Sequence, residues 1–149
     1  MEIRRLLDFL KTAEQLKCNT RHSYTSSGRL ESVAEHSWRL ALMAMLVGDE
    51  FPEMDMDKVI KMCLIHDIVE IDAGDTYAYD EEALKTQKAR EDAAKERIFS
   101  ILPEEQKEEL MALFDEFEEF ATPESKFAHA MDNLQPLMLN NSNDGGDWR

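Results

Sequence analysis

Residues that break helices or staple a fold are scarce in this chain. Its 149 residues include only 5 Gly, 4 Pro and 2 Cys. So little Gly and Pro argues against a turn-rich sheet structure and favours an all-α protein. Cys18 and Cys63 are far apart and in no metal-type spacing, which excludes a disulfide scaffold and makes a reduced, cytoplasmic protein the expectation. Positive charge is also short, with 17 Lys and Arg against 32 Asp and Glu and a formal net charge of -15. A surface of that sign repels polyanions, so neither a nucleic-acid polymer nor an anionic membrane is expected as the main partner. A small anionic substrate would need a metal and well-placed arginines to reverse the local field. The longest purely apolar run, Leu40 to Val47, is far too short to span a bilayer, and the Met1-Glu2-Ile3-Arg4-Arg5 start leads into an amphipathic pattern without a signal-peptide core. The length suits one domain over residues 1–149 with one covered core.

Against that background, the stretch Met62-Cys63-Leu64-Ile65-His66-Asp67-Ile68-Val69-Glu70 stands out. Three groups suited to metal and proton chemistry interrupt an apolar run. Holding them against a core is unfavourable unless a bound cation or a partner neutralises them. If the stretch is helical, His66 and Glu70 lie about 40° apart on one face with Asp67 beside them. A bare His-Asp pair, however, is also compatible with an ordinary core histidine next to a helix-ending acid.

The remainder reads as helices around this stretch. Ile3, Leu6, Leu7, Leu10, Ala13 and Leu16 predict a first helix over about residues 2–17. Thr20 to Leu30 reads as a polar loop whose arginines and hydroxyls could hold an oxyanion. Ser32 and Glu35 fit a capping box that opens a second helix, running to about Glu50 and apolar over much of its circumference. His36 lies in its first turn, where the helix dipole disfavours a protonated imidazole and leaves a lone pair for a metal. After Phe51-Pro52 a third helix runs from about Met56 to Glu70 or Ile71, antiparallel to the second. His36 and His66-Asp67 then come level. Ile71 to Thr76 reads as a turn, and Glu82 to Ile101 as a charged surface helix. Pro103 opens a helix with an apolar stripe of Leu110, Leu113, Phe114, Phe117 and Phe120. Thr122-Pro123 opens the last, with Phe127, Ala128, Ala130, Met131, Leu134 and Leu137 expected inward, Asp132 beside that stripe, and Pro136 expected to kink or end it.

Collected, His36, His66-Asp67 and Asp132 sit on three predicted helices beside core residues. Two imidazoles and two carboxylates suit a divalent metal such as Mn²⁺, Co²⁺, Fe²⁺ or Zn²⁺ with positions left for water and substrate oxygens. Hydrolysis is the chemistry such a site implies.

The segments Glu31-Ser32-Val33-Ala34-Glu35-His36-Ser37, His66-Asp67-Ile68-Val69-Glu70 with Gly74-Asp75, and Ala130-Met131-Asp132-Asn133-Leu134-Gln135-Pro136 carry a resemblance. In this order the sequence resembles the HD-domain metal-dependent phosphohydrolases, and within them the small 5'-deoxynucleotidases. The resemblance implies an all-α bundle of about six helices in which His36, His66, Asp67 and Asp132 hold one metal, manganese or cobalt among the candidates. It implies catalytic roles for Glu70, Asp75 and Arg21, with Arg21 orienting the phosphate and Glu70 and Asp75 acting on the attacking water or leaving group. Asp75, Thr76, Tyr77 and Ala78 are implied to line the substrate pocket with Arg21 and His22. His22 stands where nucleotidases of the family place a tryptophan, so base or sugar recognition is expected to differ, with Tyr24 as a substitute. Relatives continue for at least another helix, so one wall of the bundle is expected to be completed by a homodimer. Two alternatives stay open at this point: hydrolysis of a nucleoside triphosphate or phosphodiester by the same fold, and a catalytically silent, metal-stabilised interaction protein.

Overall fold

The fold follows from a few apolar stripes and the caps that start them. In this computed structural model, the structure describes residues 2–73 and 81–142. Among the described residues the helices are α1 (Ile3–Ala13), α2 (Val33–Val47), α3 (Met56–Ile65), α4 (Glu70–Ala73), α5 (Glu81–Phe99), α6 (Glu104–Glu119) and α7 (Pro123–Ser142). All but the one-turn α4 have ten residues or more, an all-α architecture of six main helices. Short 3-10 turns extend α1 over Glu14–Lys17 and α2 over Gly48–Glu50. None of these helices is long and apolar enough to cross a membrane.

The first departure from the sequence reading lies between α1 and α2. The expected polar loop is an antiparallel hairpin of β1 (Thr20–Tyr24) and β2 (Leu30–Ser32), with Thr20 opposite Ser32 and Tyr24 opposite Leu30. Its turn is closed by Gly28 N donating to Thr25 O at 2.9 Å and Thr25 N donating to Arg29 O at 2.7 Å. Gly28 adopts φ +89°, a conformation that side chains resist, so the glycine permits the turn. The hairpin leads straight into the capping box of α2: Glu35 N donates to Ser32 Oγ at 3.1 Å, and Ser32 N donates to Glu35 Oε1 at 2.9 Å.

A second departure bears directly on the site. The third helix stops at Ile65, and His66 to Val69 form successive tight turns before α4 begins at Glu70. Ile68 N donates to Ile65 O at 3.1 Å and Glu70 N to Asp67 O at 3.0 Å, three-residue spacings that wind the chain tighter than an α-helix. The expected 40° relation between His66 and Glu70 on one helical face therefore does not hold.

Two apolar clusters fill the interior. One joins Phe9, Val33, Ile68, Val69, Ile98, Phe99 and Phe114; the other joins Leu40, Val59, Met62, Cys63, Leu113, Phe117, Ala128 and Met131. Burying such side chains contributes about 1.5–3 kcal/mol each. His36 falls between Val33 of the first cluster and Leu40 of the second, and His66-Asp67 between Cys63 of the second and Ile68 of the first. The polar residues thus sit at the seam between two cores.

Burial also corrects three helix faces. Trp38, Met45 and Leu46 of α2 are exposed although the helix reads as apolar nearly all round, because α3 and α7 cover only part of it. The supposedly solvated α5 buries Ala94, Ile98 and Phe99. On α7, Leu134 and Leu137 point outward while Ser125 and Gln135 are buried, and the helix runs through Pro136 to Ser142.

Candidate metal centre and active site

The site begins with the caps. The box at Ser32 and Glu35 fixes where α2 starts and so sets His36 in the fourth helical position, fully buried. His66 follows the last residue of α3, where its Nδ1 donates back to Met62 O at 3.1 Å. Asp132 comes from the middle of α7, whose start is fixed by Ser125 N donating to Thr122 Oγ1 at 3.1 Å. His36, His66, Asp67 and Asp132 each offer one donor atom, and these atoms all lie within 4.8 Å of one another.

The individual distances are informative. His36 Nε2 is 2.7 Å from Asp132 Oδ1 and 4.0 Å from Asp67 Oδ2; His66 Nε2 is 3.2 Å from Asp67 Oδ2 and 3.6 Å from Asp132 Oδ1. Donors held about 2.0–2.2 Å from one ion stand roughly 3–3.5 Å apart when adjacent. Among the described residues, His66 Nε2 and Asp67 Oδ2 are buried without a hydrogen-bond partner, both at the point where the four groups meet. Unsatisfied buried groups of this kind are expensive unless a ligand completes them. The donor set therefore fits a divalent cation.

Electrostatics favours positive charge at the same point. Burial alone would lower the His66 pKa, but Asp67 and Asp132 outweigh it and hold it well above its ordinary value. Burial alone would raise both carboxyls; His66 beside Asp67, and His36 and His66 beside Asp132, outweigh it and hold both below the usual carboxylate range. Cys63, three residues before His66, is pushed up to about 12 by burial first and by the Asp132 and Asp67 charges next. It is a neutral core thiol and stands outside the cluster.

A cleft of about 420 Å³ is lined by Cys18 to Arg21, Val33, Glu70 and Ile71, with none of the four clustered residues among them. Arg21 and Glu70, both singled out from the sequence, are thereby brought to one cavity. Arg21 reaches it from β1, where its Nε lies 3.9 Å from Glu31 Oε1. Glu70 opens α4, whose last carbonyl, Ala73 O, accepts from Arg90 Nη1 at 2.7 Å, while Arg97 Nη2 donates to Asp72 Oδ1 at 2.8 Å. Tyr24 is 44% exposed at the end of β1. Asp75, Thr76, Tyr77 and Ala78, and the His22 side chain, lie outside the described residues.

Three contributors escaped the sequence reading or were given other roles. Phe117 reads as plain core, yet its ring lies between His66, at 4.5 Å, and His129, at 3.9 Å. His129 is held away from the cluster by donating from Nε2 to Phe117 O at 2.8 Å. Gln135 and Glu31 appear in the quoted segments only as flanks, but Gln135 Oε1 is 2.6 Å from His36 Nδ1 and Gln135 Nε2 is 2.9 Å from Glu31 Oε2. The only available signal was polarity at positions adjacent to apolar ones.

Helices that converge two imidazoles and two carboxylates on one point make this a helical-bundle protein with a cation-binding donor set. The family model described as HD domain matches residues 13–149, and the chain belongs to the HD-domain family. It is 33% identical over 137 residues to the 5'-deoxynucleotidase HDDC2 of Homo sapiens, covering 91% of this chain. The corresponding protein of Xenopus laevis is 34% identical over 135 residues, covering 89% of this chain. In both cases the chain spans 66% of the relative's length. The crystal structure of a predicted metal-dependent phosphohydrolase from Magnetospirillum magnetotacticum MS-1 superposes with a TM-score of 0.88 at 40% identity, covering 99% of this chain and 74% of that one.

Proposed function

We propose that the chain is a metal-dependent phosphomonoesterase that converts nucleoside 5'-monophosphates, deoxy forms first, into nucleoside and phosphate. The observation that carries this reading is the convergence of His36, His66, Asp67 and Asp132 on one point, with Arg21 and Glu70 meeting at a cleft linked to it through Glu31, whose Oε1 lies 3.9 Å from both Arg21 Nε and His36 Nδ1. Support comes from the names of the relatives, several of them 5'-deoxynucleotidases at about one third identity.

The four clustered residues would hold one divalent ion, manganese or cobalt being the first to try, and such an ion supplies acidification of water and neutralisation of phosphate charge. Arg21 offers a guanidinium to the phosphoryl oxygens, the local reversal of field that a chain of net charge -15 needs. Glu70 accepts the proton of the attacking water as its oxygen forms the new bond to phosphorus. The ester bond to the nucleoside 5'-oxygen breaks, and that oxygen leaves with a proton, for which Asp75 is the proposed source. Asp75, Thr76, Tyr77, Ala78 and His22 are proposed to complete the substrate wall. A cytoplasmic homodimer is the proposed setting, supported by the exposed apolar residues Ile3, Leu7 and Leu10 of α1 and Leu134, Leu137 and Met138 of α7.

Stripping the protein with a chelator, restoring Mn²⁺, Co²⁺ or Zn²⁺, and assaying a panel of ribo- and deoxynucleoside monophosphates tests the reading. Inorganic phosphate is the expected product. Pyrophosphate or triphosphate released only from triphosphates would overturn it. Glu70→Ala is expected to keep its metal and lose about 10²–10⁴-fold in turnover; full activity in that variant would show that another group takes the proton.

A further inference from the structure

We propose that Gln135 is a positioning residue: its side-chain amide, oriented by the buried carboxylate of Glu31, holds His36 with its proton on Nδ1 so that Nε2 faces the other donors. This rests on the metal-centre reading above and adds two residues to it.

The hydrogen bonds leave little freedom. His36 and Gln135 are fully buried and Glu31 is 4% exposed, so water cannot substitute for any partner. A carboxylate only accepts, so the Gln135 end lying 2.9 Å from Glu31 Oε2 must be the NH₂ group. The other end, 2.6 Å from His36 Nδ1, is then the carbonyl oxygen, which needs a hydrogen from the ring. A neutral imidazole, the form that can ligate a cation through its other nitrogen, carries one proton, and in that form the Gln135 carbonyl holds it on Nδ1. What remains at Nε2 is a lone pair, 2.7 Å from Asp132 Oδ1. In that form the two acceptors repel each other at this distance unless they share a cation.

Removing the Gln135 carbonyl would release this constraint. The ring could then move its proton to Nε2 and donate to Asp132, satisfying both groups and ceasing to be a ligand. A glutamine suits the position better than a second acid, since a carboxylate there would face Glu31 in dry surroundings. The remaining Glu31 oxygen, Oε1, is buried without a hydrogen-bond partner among the described residues and stands 3.9 Å from both His36 Nδ1 and Arg21 Nε. One carboxylate therefore orients the amide and faces the arginine of the cleft.

Calorimetric titration of chelator-stripped protein with Mn²⁺ alone tests the assignment without any turnover assay. Gln135→Leu is expected to bind Mn²⁺ about 10–100-fold more weakly, the usual loss when an outer hydrogen-bond partner of a ligand is removed. Circular dichroism at the titration temperature checks that the variant is folded. Gln135→Glu alone is expected to weaken binding too, whereas the exchange Glu31→Gln with Gln135→Glu restores an acceptor for His36 and a donor for residue 135. That exchange is expected to recover most of the lost affinity, a rescue that a purely space-filling role would not produce. Wild-type affinity in folded Gln135→Leu, or an exchange variant that binds no better than Gln135→Glu, would overturn the proposal. If Gln135→Leu does not fold, the comparison of the exchange with Gln135→Glu decides alone. Wild-type protein that takes up no Mn²⁺, Co²⁺ or Zn²⁺ would remove the metal-centre reading itself, whereas uptake unaltered in every variant removes only the positioning role.

Discussion

The start of α2 and the end of α3 each deliver one buried imidazole to the same point, and they hold it by different means. His66 Nδ1 donates to Met62 O, four residues back in its own helix, at 3.1 Å. His36 Nδ1 meets Gln135 Oε1, 99 residues away on α7, at 2.6 Å. Both rings thus turn Nε2 toward the carboxylates, one by a local backbone bond and the other by tertiary contact. Local bonds form whenever the helix end forms; a remote one needs α7 docked in register. The His66 ring is also steadied by Phe117 of α6, so α6 and α7 each brace one histidine.

The largest expected effect removes the difference by removing the shared centre. Asp67 Oδ2 lies 3.2 Å from His66 Nε2 and 4.0 Å from His36 Nε2, so it serves both rings. Asp67→Ala is expected to lose stoichiometric metal, read by emission spectrometry after dialysis, and phosphate release should fall by about 10³-fold or more. Metal retained at wild-type stoichiometry would mean that the remaining three groups suffice.

Next in size is an attack on the His66 side alone. Phe117 is 4% exposed and packs in the second apolar cluster between His66 and His129. Phe117→Ala is expected to destabilise the protein by about 3–5 kcal/mol in urea unfolding, since it leaves a cavity as well as losing burial. The folded fraction should also bind Mn²⁺ more weakly, because the His66 ring loses its face contact. A small loss, under about 1 kcal/mol, would indicate that the site collapses onto neighbouring side chains.

These contacts explain how much was legible in the sequence. The helices, the capping box and the four clustered residues follow from local signals, because apolar spacing, Ser32-x-x-Glu35 and the His66-Asp67 pair are each contained in a few residues. The hairpin at Thr20–Ser32 was not legible, since its strands are short and polar and its turn depends on a single glycine. The break after Ile65 was not legible either: apolar residues continue on both sides of His66-Asp67, and they pack into different clusters. Gln135 and Glu31 lie 104 residues apart, and nothing in either neighbourhood announces that they meet. What was read correctly is short-range, and what was missed comprises the hairpin, the break after Ile65 and the tertiary bracing of His36.

The smallest effect separates the two modes of support most finely. Ser32 is 6% exposed, its Oγ accepts from Glu35 N at 3.1 Å, and Glu35 returns the bond while pairing with Arg29 Nη1 at 2.8 Å. Ser32→Ala removes half of the box one residue before α2 begins, and is expected to lower stability by about 1 kcal/mol. If Gln135 fixes the His36 ring from the far side, that loss should hardly reach the metal: the Mn²⁺ affinity of the folded protein is expected to change by less than about 3-fold, under 1 kcal/mol. Unfolding by urea and calorimetric titration on the same sample measure the two quantities separately. A tenfold drop in affinity alongside the stability loss would show that the α2 start, and not the contact with α7, is what holds His36 in place.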